Sequence, residues 1–339
     1  MTEQRTALVL GATGGIGGEM AKLLLRRGWA VRGLHRDLVA AARRSAWLDG
    51  VSWSKGDAMR SDDVIEAARG AALIVHAVNP PGYRKWGELV LPMLDSSIAA
   101  ARASGARILL PGTIYNYGPD AFPDLSEIAP QHPRTRKGAI RVAMERRLQA
   151  SRDVRTLIVR AGDFFGPNAG NNWFSQGLVK PNRPVRHITY PGRRSIGHAW
   201  AYLPDVAETM MQLVELDDAN GTFEAYHFAG HWDEDGTAMA AAIRRAAGDP
   251  KLKLRRFPWA LVAAASPVVP LFRELCEMRH VWREPLRLDN TRLVGRLGAE
   301  PHTSLDAAVR ATLAGLGCLG SAATAVAAEK RLSGSAFAG

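Results

Sequence analysis

Val9-Leu10-Gly11-Ala12-Thr13-Gly14-Gly15-Ile16-Gly17 runs an apolar strand straight into a glycine-rich turn. Gly11, Gly14 and Gly17 recur every third residue, and an amphipathic helix follows from about Ile16 to Arg27. Gly11 permits the tight strand-to-helix turn, Gly14 removes a Cβ where a pyrophosphate approaches the backbone, and Gly17 lets the helix pack on the strand. The N–H groups at the helix start, with the positive end of its dipole, favour a diphosphate. With Thr13, Gly15 and Ile16 completing the loop, the stretch is read as a dinucleotide site, because strand, turn and helix follow one another in the required order.

Strand and helix patterns alternate outward from this loop. Strands are expected at Ala7 to Leu10, Trp29 to Leu34, Val51 to Ser54, Leu73 to Ala77, Arg107 to Leu110 and Arg155 to Val159. Helical patterns lie between them at about 38–48, 61–69, 87–104 and 135–151. Strands separated by helices imply an α/β fold with a doubly wound parallel sheet, covered on both faces by right-handed crossovers. Ligands in such a sheet bind beyond the carboxyl ends of the strands, where strand order reverses.

After Val159 the alternation fails, and residues 162–200 are rich in Gly, Pro, Asn and aromatic side chains, as substrate-facing loops are. Helices are expected at Tyr202 to Leu216, Thr237 to Ala247 and Ser304 to Leu316, the last with Ser304 as cap, and a strand at Tyr226 to Ala229. The chain therefore divides into a dinucleotide-binding domain over 1–160, a smaller C-terminal substrate lobe over 161–319 that returns some chain to the sheet, and a disordered tail over 320–339.

With 339 residues and 47% hydrophobic content the chain buries a sizeable core. No charged leader precedes a long apolar stretch, so no signal peptide is expected. The apolar segment from Trp259 to Phe272 is broken by Ser266, Pro267 and Pro270 and is too short to span a bilayer of about 30 Å. Cys276 and Cys318 lack metal-ligand spacing, which predicts no metal site and a reducing, cytoplasmic location. A net charge of +11 invites a nucleic-acid reading. The basic residues are scattered pairs, such as Arg43-Arg44 and Arg255-Arg256, without interleaved aromatics or a zinc or helix-turn-helix signature. The expected partner is a small molecule, not nucleic acid or a membrane.

The second strand ends in Gly33-Leu34-His35-Arg36-Asp37. An NAD site places an acidic residue here to grip the ribose 2′-hydroxyl, but His35 occupies that place and Arg36 follows. An arginine neutralises a 2′-phosphate and stacks beside adenine, which favours NADP. NAD is the alternative, if Arg36 merely ends the strand and Asp37 turns to the ribose. In Gly56-Asp57 the carboxylate is either an acceptor for the adenine amino group, with Ala58 or Met59 along the ring, or a solvated turn aspartate. Ala77, Val78 and Asn79 end the fourth strand, and the small residues there let a ribose pass close to the backbone. His76 is read as a core histidine.

These residues, with Pro111-Gly112-Thr113-Ile114-Tyr115-Asn116-Tyr117-Gly118-Pro119 and Arg160-Ala161-Gly162-Asp163-Phe164-Phe165-Gly166-Pro167, resemble the extended short-chain dehydrogenase/reductases, including their NAD-dependent epimerase/dehydratase branch. The resemblance runs from about residue 5 to 316 and implies a Rossmann-type domain with a C-terminal substrate lobe. It also implies a Ser or Thr, a Tyr that exchanges a proton with the substrate oxygen, and a Lys that lowers the tyrosine pKa and holds the nicotinamide ribose. Thr113 stands in the Ser/Thr place. Counting back from Glu145 puts Arg141 in the lysine place and Lys137 in the tyrosine place, so the Tyr-x-x-x-Lys signature is missing.

Arg141 can still bind a ribose, but with a pKa above about 12 it is no proton relay. Lys137 serves as an acid if burial and Arg141 depress its pKa; otherwise it binds an anionic substrate or sits in solvent. Tyr115 offers a substitute phenol, Tyr117 is read as packing, and Tyr83 enters from the opposite wall. In the lobe, Asn172, Trp173, His198 and Trp200 match family substrate segments, with packing as the alternative for His198 and Trp200. Phe164 and Trp173 contribute to an apolar wall, and Asp205 is expected to cap a helix. The leading expectation is NADP-dependent reduction of a small carbonyl or conjugated compound. The alternatives are a nucleotide-sugar epimerase/dehydratase and a catalytically silent NADP-binding redox sensor. The resemblance also implies pairing of two copies through helices.

Overall fold

The computed structural model describes residues 4–80, 85–168, 172–216 and 221–319, so Tyr83 and the tail over 320–339 lie outside the described residues. The first half runs β1 (Thr6–Leu10), α1 (Gly15–Arg26), β2 (Ala30–His35), α2 (Leu38–Arg44), β3 (Val51–Lys55), α3 (Ser61–Ala67), β4 (Leu73–His76), α4 (Trp86–Ser104), β5 (Arg107–Thr113), β6 (Asp124–Leu125), α5 (Arg136–Ala150) and β7 (Thr156–Ala161). The second half runs β8 (Asp163–Phe165), β9 (His187–Tyr190), β10 (His198–Tyr202), α6 (Leu203–Glu215), β11 (Phe223–Phe228), β12 (His231–Asp233), α7 (Ala238–Ala247), β13 (Lys253–Arg256), α8 (Trp259–Ala265), α9 (Pro270–Glu277), β14 (Arg287–Leu288), α10 (Thr291–Leu297) and α11 (Leu305–Gly315).

Seven strands form one sheet in the order β11-β7-β5-β4-β1-β2-β3, and every pair in it is parallel. Its central strands are buried along nearly their whole length, as a sheet covered on both faces requires. One face packs Met20 and Leu24 of α1 with Val206 and Met210 of α6. The other packs Val64 of α3, Leu94 of α4 and Leu148 of α5. Strand order reverses between β1 and β4, so the crevice lies where Gly11 and Ala77 meet.

The seventh strand, β11, is the chain that returns from the lobe, and it extends the sheet beyond β7. Among the described residues three small sheets, β12-β10-β8, β13-β9 and β14-β6, surround a core that includes Phe165, Trp173, Trp200, Met239 and Leu313, and β6 comes from the first 160 residues. Two local expectations shift. The helix expected over 38–48 stops at Arg44, where Ser45 turns its hydroxyl back onto the Ala41 carbonyl at 2.8 Å. The apolar segment from Trp259 folds as two short helices, α8 and α9, and among the described residues no helix is long and apolar enough to cross a membrane.

Candidate active site

The glycine loop is forced by packing. Gly11 has φ +87°, and a Cβ on it would lie 2.5 Å from the Ala77 carbonyl oxygen. A Cβ on Gly17 would lie 2.3 Å from the Gly11 oxygen, so α1 approaches the turn as closely as backbone allows. Gly14 caps α1 in an extended conformation, and the Gly18 N–H donates to its carbonyl at 2.9 Å. Gly15, Ile16 and Gly17 precede that first helical bond, so their N–H groups are the ones a helix start presents to an anion.

From this cradle a groove of about 380 Å³ runs past Thr13, His35, Arg36, Trp53, Asp57 and Asn79. Trp53 lies over Gly33, whose Cβ would sit 2.5 Å from the indole, and so helps line the groove beside His35. Arg44 joins Arg36 on the lining. Sequence reasoning missed this role for Arg44, which counts there only as half of the scattered basic pair Arg43-Arg44. His35 accepts the Asp37 N–H on Nδ1 at 3.0 Å, and the Asp37 carboxylate accepts from Ala40 N–H at 3.0 Å. Asp37 therefore caps α2, against the alternative that turned it to the ribose. Asp57 accepts the Met59 N–H at 3.0 Å and shares the groove wall with Ala58, Ala77 and Val78.

Three elements meet at the carboxyl edge beyond the groove. Thr113 ends β5 and accepts the Tyr115 N–H at 2.9 Å. The Tyr115 carbonyl rests on Gly138 of α5, where a Cβ would lie 2.3 Å from its oxygen. Arg141, one turn further along α5, donates to Asn79 Oδ1 at 3.1 Å and lies over the Trp86 ring. It thus joins α5 to the β4 end of the groove.

Lys137 is buried, and its partners are not those expected. Its ammonium donates to Glu277 at 2.7 Å and to Glu274, and its backbone N–H donates to the other Glu277 oxygen at 2.9 Å. Burial pushes the Glu277 carboxyl up, but the hydrogen bonds from Lys137 outweigh it and hold the group below its ordinary value. Two carboxylates of α9 therefore face the ammonium, where the expectation placed the Arg141 guanidinium. Nothing local in the sequence announces Glu274 and Glu277, since they meet Lys137 across more than a third of the chain. A cavity of about 260 Å³ lies beside them, lined by Trp86, Arg136, Lys137, Ile140, Glu274 and Glu277.

Tyr117 lies in a buried network below this edge. The His227 Nδ1 donates to the Leu125 carbonyl at 3.0 Å, so its Nε2 is the acceptor for the Tyr117 hydroxyl at 2.6 Å. Arg160 donates to Tyr117 at 2.8 Å and to Glu145 at 2.6 Å. Burial, reinforced by the Arg160 charge, pushes His227 down to about 3 and keeps it neutral.

The lobe residues take other positions. Phe164 packs against the sheet side, and Asn172 Oδ1 accepts the Ser175 N–H at 2.8 Å. Trp173 packs against Trp282, while His198 pairs with Asp163 at 2.9 Å and stacks on Trp282. Trp200 is fully buried against Phe165 and Trp282. Trp173, His198 and Trp200 thus sit in one aromatic core around Trp282. Asp205 does not cap α6; it lies in the first turn and accepts both the N–H and the hydroxyl of Thr303 at 2.7 Å. Ser304 stands at the start of α11 without a side-chain capping bond.

The model of the NAD dependent epimerase/dehydratase family matches residues 7–229. A 3-diazoavenalumate denitrifying reductase from Streptomyces sp is 32% identical over 180 residues, a match spanning 48% of this chain and 57% of that protein. UDP-glucose 4-epimerase from Bifidobacterium longum superposes with a TM-score of 0.68 at 15% identity, covering 91% of this chain and 97% of that one. UDP-glucuronic acid 4-epimerase from Bacillus cereus does so with a TM-score of 0.70 at 16% identity, covering 92% and 98%. At such identities the structural likeness is one of fold.

Proposed function

The chain belongs to the NAD dependent epimerase/dehydratase family, and from that premise we propose that it is a reductase that takes NADP and passes hydride to a small carbonyl or conjugated acceptor. The observation that carries the cofactor reading is the groove itself. It begins in a cradle with no room for a Cβ at Gly11 or Gly17 and is lined by Arg36 and Arg44, with His35 where an acid would grip a 2′-hydroxyl. The N–H groups at the start of α1 would hold the diphosphate, and the two guanidiniums a 2′-phosphate. When bound, the nicotinamide supplies the hydride. The two solved epimerases are complexes with NAD, UDP-glucose 4-epimerase also holding UDP and UDP-glucuronic acid 4-epimerase its UDP-sugar.

In a carbonyl reduction the acceptor carbon takes the hydride and its oxygen takes a proton. The Thr113 hydroxyl polarises that oxygen, and the Tyr115 phenol provides the proton in place of the missing family tyrosine, because the Lys137 ammonium is engaged by Glu274 and Glu277. Arg141, which donates to Asn79, would hold the nicotinamide ribose. The name of the Streptomyces relative, a denitrifying reductase, supports reduction as the reaction class. Epimerisation or dehydration is disfavoured because it needs a strong base at the tyrosine place, where Lys137 is tied to two carboxylates. The loss of both signature residues supports the silent-sensor alternative.

Titrating purified protein with NADPH and NADH should give tighter NADPH binding, and Arg36→Ala should weaken NADPH about tenfold while leaving NADH unchanged. Equal affinities would remove NADP. A carbonyl panel followed at the nicotinamide absorbance tests the enzyme. Tight cofactor binding with no turnover favours the sensor, and turnover indifferent to Tyr115→Phe removes the role of its phenol.

A further inference from the structure

From Phe257 to Phe272 no side chain carries a charge. This stretch folds back on itself as α8 and α9, which pack together. Its inner face is anchored: Trp259 and Val262 are buried, and the Trp259 indole N–H donates to the Pro191 carbonyl at 2.7 Å. Its outer face is apolar and open to solvent, with Leu261 71% exposed, Val268 80% and Leu271 42%. Pro258, Ala260, Ala263, Ala264, Pro267 and Pro270 are exposed between them. Large apolar side chains gathered on one hairpin mark a contact surface, whereas the same residues scattered singly would not.

The charges around the hairpin select the partner. Lys251, Lys253, Arg255 and Arg256 lead into it and Arg273 leads out, all exposed, and no carboxylate occurs between Lys251 and Arg273. The next acid, Glu274, is turned inward onto Lys137. We infer that the α8–α9 hairpin docks on the surface of an anionic lipid bilayer, its apolar tip entering the headgroup boundary and its cationic flanks facing the lipid charges. An apolar face with lysine and arginine at its margin is the arrangement that lies in a membrane interface. The hairpin is too short to cross the bilayer and has no need to. A second copy fits less well, because a two-fold contact on this face sets one cationic margin against another.

Flotation of the full-length protein with vesicles tests this, independently of catalysis. Protein should float with vesicles containing about one-third phosphatidylglycerol, and about tenfold less with pure phosphatidylcholine or at about 0.5 M salt. Leu261→Glu with Val268→Glu, at exposed positions, should abolish flotation while leaving the melting temperature and NADPH affinity unchanged. No flotation with anionic vesicles, or flotation unaltered by the two glutamates, overturns the inference. So does a dimer in sedimentation that these substitutions dissolve.

Discussion

Arg160 reaches from β7 across β5 to Glu145 on α5, over Gly112, where a Cβ would lie 2.7 Å from the Arg160 Cγ. The ion pair and Tyr117 leave His227 one available state, the neutral ring, and its folded pKa falls from 6.5 to about 3. His76, buried against Ser97 at 2.8 Å, is likewise pushed down to about 3, by desolvation first and the Arg141 charge second. A depressed histidine pKa means that below pH 6.5 the unfolded chain takes up a proton that the folded chain refuses. Stability is therefore full above pH 6.5 and is lost as pH falls toward 3, each histidine contributing up to about 1.4 kcal/mol per pH unit. The carboxylates held low, such as Glu277, act mainly below about pH 4.5. Between pH 7 and 5 the histidines dominate. His227→Gln retains an acceptor for Tyr117 and a donor for Leu125, and should shrink the stability difference between pH 7 and 5 by about 1–2 kcal/mol in urea unfolding. An unchanged difference would refute the buried neutral ring.

At the scale of elements, Gly138 in the first turn of α5 looks like a defect, because glycine costs a helix about 1 kcal/mol relative to alanine. The contact across the turn reverses that sign. A Cβ at Gly138 would lie 2.3 Å from the Tyr115 oxygen, a backbone atom, and 2.5 Å from Pro133 Cβ, so neither neighbour yields cheaply. Gly138→Ala should destabilise by about 2 kcal/mol and lower the melting temperature; an unchanged or raised one would mean that the turn relaxes freely. The same contrast explains what the sequence made legible. Glycine spacing and apolar runs located β1 to β5, β7 and the helices between them to within a few residues, because those patterns reflect local periodicity. The glycine cradle and the Arg36 lining were readable for the same reason. The Glu274–Lys137 and Asp205–Thr303 contacts join residues far apart in the chain, and no periodicity records such a meeting. Arg44 escaped because it reads in the sequence only as half of the basic pair Arg43-Arg44, and only the packing of α2 beside the groove shows that it lines it.

For the molecule as a whole, α9 is one place where the C-terminal lobe packs on the sheet domain, beside the candidate site. Glu277 takes both the Lys137 N–H, a donor at a helix start, and the Lys137 ammonium, and Glu274 shares that ammonium. Other contacts also join the two parts, at this edge through Ile114 and Tyr115 against the lobe core and on α1 through Asn168 to Glu19 at 2.9 Å. Replacing both carboxylates, Glu274→Gln with Glu277→Gln, removes two negative charges from beside a buried ammonium. Losing the partners of a buried charge costs about 3 kcal/mol, near the low end of the usual range because both glutamates keep some exposure. The cheapest relief is for α9 to lift and let water reach Lys137. Limited proteolysis should then cut the double variant faster between Phe257 and Glu277, while the sheet domain stays protected and affinity for the nicotinamide cofactor holds. Adding Lys137→Met removes the uncompensated charge and keeps an apolar stem in the same place, so it should slow cleavage again. If the double variant resists cleavage like the parent, or Lys137→Met fails to restore protection, the ion pairs do not hold the lobe closed.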